Sequence, residues 1–185
     1  MRKKAISLYL FLFFTISASW TFAETFSGRC VGIGDGDTMF VMKNGKAVKV
    51  RLEGIDCPEL GQDFGTRAKQ FTSSMVFRKT VVVKECSKDI YGRKIVRVCV
   101  EGLDLSLELV KAGLAWYFNA FTSDPALAAA EKAARKQKIG LWSMPNPIPP
   151  WVYRRQHKRE RQRSIFILRC PSFVIVNFGD SQLNH

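Results

Sequence analysis

The sequence predicts a mainly β, α+β domain: a five-stranded closed barrel of the OB type carrying three helices. Three observations lead there, namely five short strand-like runs, helical periodicity inserted after the third run and appended after the fifth, and an Asn-Gly turn between the second and third. A five-stranded open α+β sheet is the alternative. With 185 residues, 46% of them hydrophobic, the chain has material for one well-packed domain. Intrinsic disorder and a multidomain array are thereby disfavoured.

The first run is Phe26 to Ile33, the second Thr38 to Met42, and the third Ala47 to Leu52, with Asn44-Gly45 turning the last two into a hairpin. Val48, Val50 and Leu52 share one face while Lys49 and Arg51 occupy the other, so Arg51 is expected to point away from the core. The fourth and fifth runs are Thr80 to Cys86 and Arg93 to Val100, where Val96, Val98 and Val100 alternate with Ile95, Arg97 and Cys99. Helical spacing of Ala68, Phe71, Met75 and Val76 predicts a helix over Thr66 to Phe77. A second helix runs from Leu103 to Lys111 and stops at Gly113. The third has Ser123 or Asp124 as N-cap, Pro125 at its first position, and Gly140 beyond Lys138 as terminator.

Both ends of the chain differ from this domain. Arg2, Lys3 and Lys4 precede an uncharged apolar run that ends at Thr21-Phe22-Ala23, which is the layout of a signal peptide over residues 1–23. The competing reading is an uncleaved anchor, but Ser7, Thr15, Ser17 and Ser19 dilute the run, so cleavage and export are expected, with no stable membrane span left afterwards. Pro145, Pro147, Pro149 and Pro150 read as an extended segment closing the domain, which is assigned residues 24–155. Residues 156–185 form an unassigned tail, basic at first and then apolar from Ser164 to Phe178, where it has the composition for one more strand. Arg154 to Arg163 carry six basic residues and one acidic one, read as a solvated run.

The formal charge of +13 attracts polyanions but does not choose among nucleic acid, acidic glycan and anionic lipid. Only His157 and His185 are present, which leaves almost no material for histidine metal sites or Ser-His-Asp catalysis. Five cysteines at irregular spacing match no zinc pattern, and in an exported chain they have material for one or two disulfides.

Against that basic background, two acidic clusters follow strand ends: Asp35-Gly36-Asp37-Thr38 and Asp56-Cys57-Pro58-Glu59. Each alone reads as ordinary turn chemistry. Together they offer several carboxylate oxygens to a hard cation from two loops flanking one hairpin. Arg51 ends the third strand and Arg93 begins the fifth, and two guanidinium forks beside a cation make a clamp for a phosphodiester.

These residues resemble the staphylococcal nuclease (thermonuclease) family in its secreted form. The resemblance runs from Phe26 to Arg155 and is carried by Asp35-Gly-Asp-Thr38, Arg51-Leu-Glu-Gly-Ile-Asp-Cys-Pro-Glu59, Gln62 with Gly65, Tyr91-Gly-Arg93, Leu109-Val-Lys-Ala-Gly-Leu-Ala-Trp116, and Gly140-Leu-Trp142 followed by Pro149-Pro-Trp151. It implies an OB barrel and a calcium-dependent phosphodiesterase acting on DNA and RNA, releasing 3′-phosphates. It further implies that Asp37, Asp56 and the backbone carbonyl of Cys57 hold Ca2+, that Glu59 serves the attacking water as base, and that Arg51 and Arg93 bind the scissile phosphate. Asp35 acts electrostatically in this scheme, and Tyr91 and Tyr117 touch substrate. Cys57 departs from the family's Thr, and Ile90 stands where a basic residue is common.

The chain is accordingly expected to be an exported, secreted or periplasmic, monomeric nuclease with nucleic acid as its partner. The alternative is a noncatalytic OB-type nucleic-acid-binding module, disfavoured because all the site carboxylates and arginines are present. In an OB barrel of this topology the first strand lies beside the fourth, so Cys30 and Cys86 are candidates to approach within bonding distance, with Cys57 the better candidate for a free thiol and the connectivity left open.

Overall fold

The computed structural model describes residues 24–89, 92–120 and 123–169. The expected signal segment 1–23, Tyr91, Phe121 and Cys170 lie outside them. Along the chain the elements are β1 (Thr25–Ile33), β2 (Thr38–Lys43), β3 (Lys46–Leu52), β4 (Ile55–Asp56), α1 (Gly65–Val76), β5 (Thr80–Lys88), β6 (Lys94–Val100), β7 (Leu103–Asp104), α2 (Leu105–Lys111), β8 (Trp116–Tyr117), α3 (Pro125–Lys136), a 3-10 turn (Gly140–Ser143) and α4 (Pro150–Arg169). The five long strands lie in the order β3-β2-β1-β5-β6, and a parallel pairing of β3 with β6 closes them into the expected barrel. Its interior is filled by alternate residues, including Met39, Val41, Val50, Leu52, Val81, Val83, Val96 and Val98, all nearly or fully excluded from solvent. Asn44-Gly45 makes the β2–β3 turn with φ of 49° and 76°, the left-handed pair that a two-residue hairpin needs.

The helices cover the barrel ends. Asp104 caps α2 through Leu107 N–H. Asp124 caps α3 through Ala126 N–H (2.9 Å) and Leu127 N–H (3.4 Å), and its other oxygen pairs with Arg97 on β6, tying α3 to the barrel. A second apolar cluster of Trp116, Ala134, Leu141 and Trp142 lies beside the barrel core, with Trp151 packed on its edge.

Three expectations need correction. A fourth helix, α4, begins at Pro150, where the sequence reads as extended, and it straddles the expected 155/156 boundary. Proline at the first helical position forfeits no hydrogen bond, and Trp151 packs against Trp116 and Phe118, with ring centroids 5.6 and 5.5 Å apart, so the Pro-Pro pair starts a docked helix. The helix also runs through Ile165–Arg169, inside the segment suspected of adding a strand; the rest of that segment lies outside the described residues.

Cys30 and Cys86 cannot pair. β1 does lie beside β5, but the antiparallel register aligns Cys30 with Lys79, whose carbonyl accepts the Cys30 N–H at 2.9 Å. Cys86 is seven residues further along β5, roughly 23 Å at about 3.3 Å per residue, against a limit of about 7 Å for a disulfide. Cys30, Cys57, Cys86 and Cys99 are all free thiols. Among the described residues, no helix is long and apolar enough to cross a membrane.

Removing the Asp124 side chain tests the tie between helix and barrel. Asp124→Ala is expected to cost about 1–2 kcal/mol in urea unfolding with the far-UV circular dichroism unchanged. Hydrogen bonding from Arg97 holds the Asp124 carboxyl below its ordinary range, outweighing the opposing effect of burial. Its contribution is therefore complete above about pH 4 and is lost as pH falls through the lower native value, so Asp124→Asn should flatten the acid limb of the stability curve.

Candidate active site

The acidic loop between β1 and β2 is clamped from three sides. Gly34 N–H bonds the carbonyl of Thr38 at 2.8 Å, the Asp37 carbonyl accepts Leu52 N–H from the end of β3 at 2.8 Å, and the Thr72 hydroxyl of α1 donates to the Gly36 carbonyl at 2.6 Å. A Cβ on Gly36 would lie 2.7 Å from the Cβ of Cys57 and 2.8 Å from that of Ala68, so glycine is required by close packing against the second acidic loop and α1. Asp-Gly-Asp-Thr is thus more than a solvent-facing turn. It aims the Asp37 side chain inward, where only 2% of the residue is exposed.

Asp56 arrives by a different route. The two-residue ladder of β4 with β8 pairs Ile55 with Tyr117 and Asp56 with Trp116, and buries Asp56 as deeply as Asp37. Between the two carboxylates sits Arg51: Nη1 donates to Asp37 Oδ1 and Nη2 to Asp56 Oδ1, each at 2.6 Å. The second Asp37 oxygen accepts the Cys57 N–H at 2.9 Å, which joins the two loops directly. Arg51 does leave the barrel interior, as its strand parity requires, but it enters this second buried site instead of solvent. Its side chain is 17% exposed.

Glu59 stands at the rim, on a turn closed by Gln62 N–H to the Glu59 carbonyl and packed over the start of α1. A Cβ at Gly65 would fall 1.8 Å from that carbonyl, so Gly65 lets the Glu59 turn lie on the helix. Across the rim, Arg154 near the start of α4 donates from Nη1 to Glu59 Oε1 at 2.7 Å and from Nη2 to Asp56 Oδ2 at 2.7 Å. A longer contact of 3.2 Å joins Nη1 to Asp56 Oδ1. Sequence reasoning missed this arginine by counting it with the solvated run. The available signal was Trp151, an anchoring aromatic three residues earlier on the same helical face.

The remaining expected residues are less convergent. Arg93 precedes β6, whose parallel register sets Ile95 beside Arg51, and its Nε and N–H are held by Asp89 at 2.6 and 2.8 Å. Tyr117 ties its hydroxyl to Asp124 N–H (2.9 Å) and its own N–H to Glu131 (3.1 Å), which anchors it to α3. Trp116 is buried and meets Trp142 edge to face at 4.5 Å.

The electrostatics follow from this packing. Burial, reinforced by Asp35 and Asp56, pushes the Asp37 carboxyl above its ordinary range against the opposing pull of Arg51. Burial also raises the Cys57 thiol well above its usual value, so its sulfur is neutral and packs as an apolar group. With the thiol neutral, the site's side-chain ligands are oxygens, the carboxylates and the Thr38 hydroxyl, a set suited to a hard cation. Asp35, Asp37, Asp56 and Glu59 face two guanidiniums, Arg51 and Arg154, so with all four carboxyls ionised the formal deficit equals one divalent cation. Residues and charge both fit Ca2+. Among the described residues no ready-made cage of three or more such ligands is present, so carbonyl or water oxygens must complete any coordination.

The family model for staphylococcal nuclease homologues matches residues 49–144, which contain Arg51, Asp56, Glu59 and Arg93, while Asp37 and Arg154 lie to either side. An "Uncharacterized endonuclease" of Escherichia coli O157:H7 is 40% identical over 154 residues, covering 82% of this chain and 97% of its own length. A protein of the same description from Haemophilus influenzae is 37% identical over 159 residues, covering 85% and 89%. The "Micrococcal nuclease" of Shigella flexneri is 38% identical over 144 residues, covering 72% and 83%. With the barrel, the paired acidic loops and these relatives in agreement, the chain belongs to the staphylococcal nuclease family.

Proposed function

We propose that this protein is an exported, calcium-dependent nuclease that hydrolyses phosphodiester bonds of DNA and RNA. The observation that carries the reading is the Asp37–Arg51–Asp56 bridge, which places two buried carboxylates and a guanidinium around one point, with Glu59 at its rim. The names of the relatives support a nuclease, and the basic composition suits a polyanionic substrate.

Asp37, Asp56 and the Cys57 carbonyl would hold Ca2+, which supplies positive charge to polarise a phosphoryl oxygen and to order a water. Arg51 spends one N–H of each Nη on the carboxylates and has a second on each for phosphate oxygens. Arg93 supplies the other fork, and the pair meets the charge that develops as the water oxygen bonds to phosphorus and the ester oxygen departs. Glu59 takes the proton from the water. No covalent enzyme intermediate is needed.

Arg51→Ala is expected to slow turnover by more than a hundredfold, about 3 kcal/mol of transition-state stabilisation, while nucleic-acid affinity changes far less. It also strands two buried carboxylates, so the rate must be read below its lowered melting temperature. Glu59→Gln should depress turnover with the fold intact, and Arg93→Lys should fail to restore the two-pronged contact. Rates per bound substrate within about threefold of the parent for all three would overturn the site. A calcium chelator should abolish cleavage of single-stranded DNA; full activity without a divalent ion overturns the calcium requirement.

The exposed end of α4 makes a separate prediction. Arg155, Lys158, Arg159 and Arg161 are all exposed, beyond the Trp151 and Arg154 contacts. Deleting residues 160–185 should preserve hydrolysis of short oligonucleotides while weakening binding to long duplexes and reducing its salt dependence. Unchanged binding in a salt titration refutes this role.

A further inference from the structure

The start of α4 enters the site for reasons that are visible in its packing. Trp151 seats against Trp116 and Phe118, the Tyr153 hydroxyl donates to the Gly61 carbonyl at 2.7 Å, and Gln62 reaches back to the Ile148 carbonyl. These contacts clamp the start of the helix onto the turn that carries Glu59. Arg154, three residues after Trp151, is thereby delivered to the carboxylates.

What Arg154 does there is unlike what Arg51 does. Arg51 is enclosed, whereas the Arg154 side chain is 44% exposed over an Asp56 side chain that is 3% exposed. It forks onto both oxygens of Asp56, through Nη1 at 3.2 Å and Nη2 at 2.7 Å, and shares Nη1 with Glu59. A guanidinium in this position satisfies both Asp56 oxygens from the solvent side. Its side chain can move out into solvent, and the Asp56 side chain cannot.

We infer that Arg154 is the exchangeable counter-ion of the site: it holds Asp56 together with Glu59 until a divalent cation takes Asp56 from it, after which it positions Glu59 alone. The inference rests on the calcium reading above and deepens it. Arg154 and the cation compete for one carboxylate, so they are antagonists in binding, and by linkage each weakens the other's hold on Asp56. The Glu59 contact needs no such exchange, because Nη1 reaches Glu59 Oε1 while Nη2 serves Asp56.

The test is calorimetric titration of CaCl2 into the full chain, free of nucleic acid, comparing the parent with Arg154→Gln and with Arg155→Gln. The second variant loses the same charge from an exposed neighbour and controls for the general field. Arg154→Gln should bind Ca2+ about three- to tenfold more tightly, and Arg155→Gln should stay within about twofold of the parent. Arg154→Lys keeps a charge without the fork and should fall between parent and Arg154→Gln. A metal-free readout accompanies it: in chelator Arg154→Gln should melt below the parent, and added CaCl2 should raise its melting temperature by more than it raises the parent's. Unchanged or weaker binding in Arg154→Gln, or an equal effect of Arg155→Gln, overturns the exchange. Failure of Ca2+ to bind parent and variants alike overturns the calcium reading itself, a distinguishable result.

Discussion

Arg51 bridges two carboxylates that come from different loops, and the rest of the site is arranged around that bridge. Two aspartates at 2% exposure would be intolerable neighbours without it, since isolated buried charges carry desolvation penalties of several kcal/mol each. The guanidinium is the suitable solution because its planar fork meets one oxygen of each carboxylate at 2.6 Å while its own burial is offset by both. The bridge is also incomplete as charge balance. One guanidinium between two ionised carboxylates leaves the pair negative, and Arg154 is the further cation that the structure sets against it.

Barrel closure is what makes the bridge possible. β3 pairs with β2 on one side and, in parallel, with β6 on the other, so the end of β3 is fixed on both edges where Arg51 emerges. Thr38 at the start of β2 is registered opposite Arg51, which sets Asp37 one residue away across the ladder. Asp56 needs a second device, because the chain turns after Leu52 and leaves the barrel. The short β4–β8 ladder supplies it by pairing Asp56 with Trp116, whose ring is gripped by Trp142 and Trp151. The aromatic cluster beside the barrel therefore fixes one carboxylate directly, and through Trp151 it also delivers Arg154.

This division explains what the sequence disclosed. The five long strands were legible because alternation of valines with polar residues survives in any barrel, and α3 because Asp124 and Pro125 announce its start. The two acidic clusters and Arg51 were legible through their positions after strand ends, and the family resemblance singled out Asp37, Asp56 and Glu59 within them. The β4–β8 pair was not, since two-residue ladders have no periodicity to detect, and the pairing is decided by the packing of Trp116. Pro149-Pro150 misled because proline marks the first turn of a helix as readily as the end of a domain, and only the docking of Trp151 selects the first meaning. The cysteine expectation failed for a related reason: topology was right, but register is a long-range property, and seven residues of offset separate neighbours on adjacent strands completely.

The charge distribution carries a last consequence. The chain as a whole is strongly basic, yet its candidate site presents four carboxylates to two guanidiniums. If this is the site of hydrolysis, a phosphodiester is drawn to the molecule and repelled from the place where it would react. At physiological salt the screening length is about 8 Å, so the exposed Lys and Arg side chains act over the surface but cannot cancel a buried deficit at contact distance. On the calcium reading proposed above, a cation seated among Asp37, Asp56 and neighbouring carbonyls would reverse the local sign. On that reading, capture and turnover depend on separate sets of charges: the outer set would change affinity in a salt-dependent way, and the inner set would decide whether a captured strand meets the attacking water.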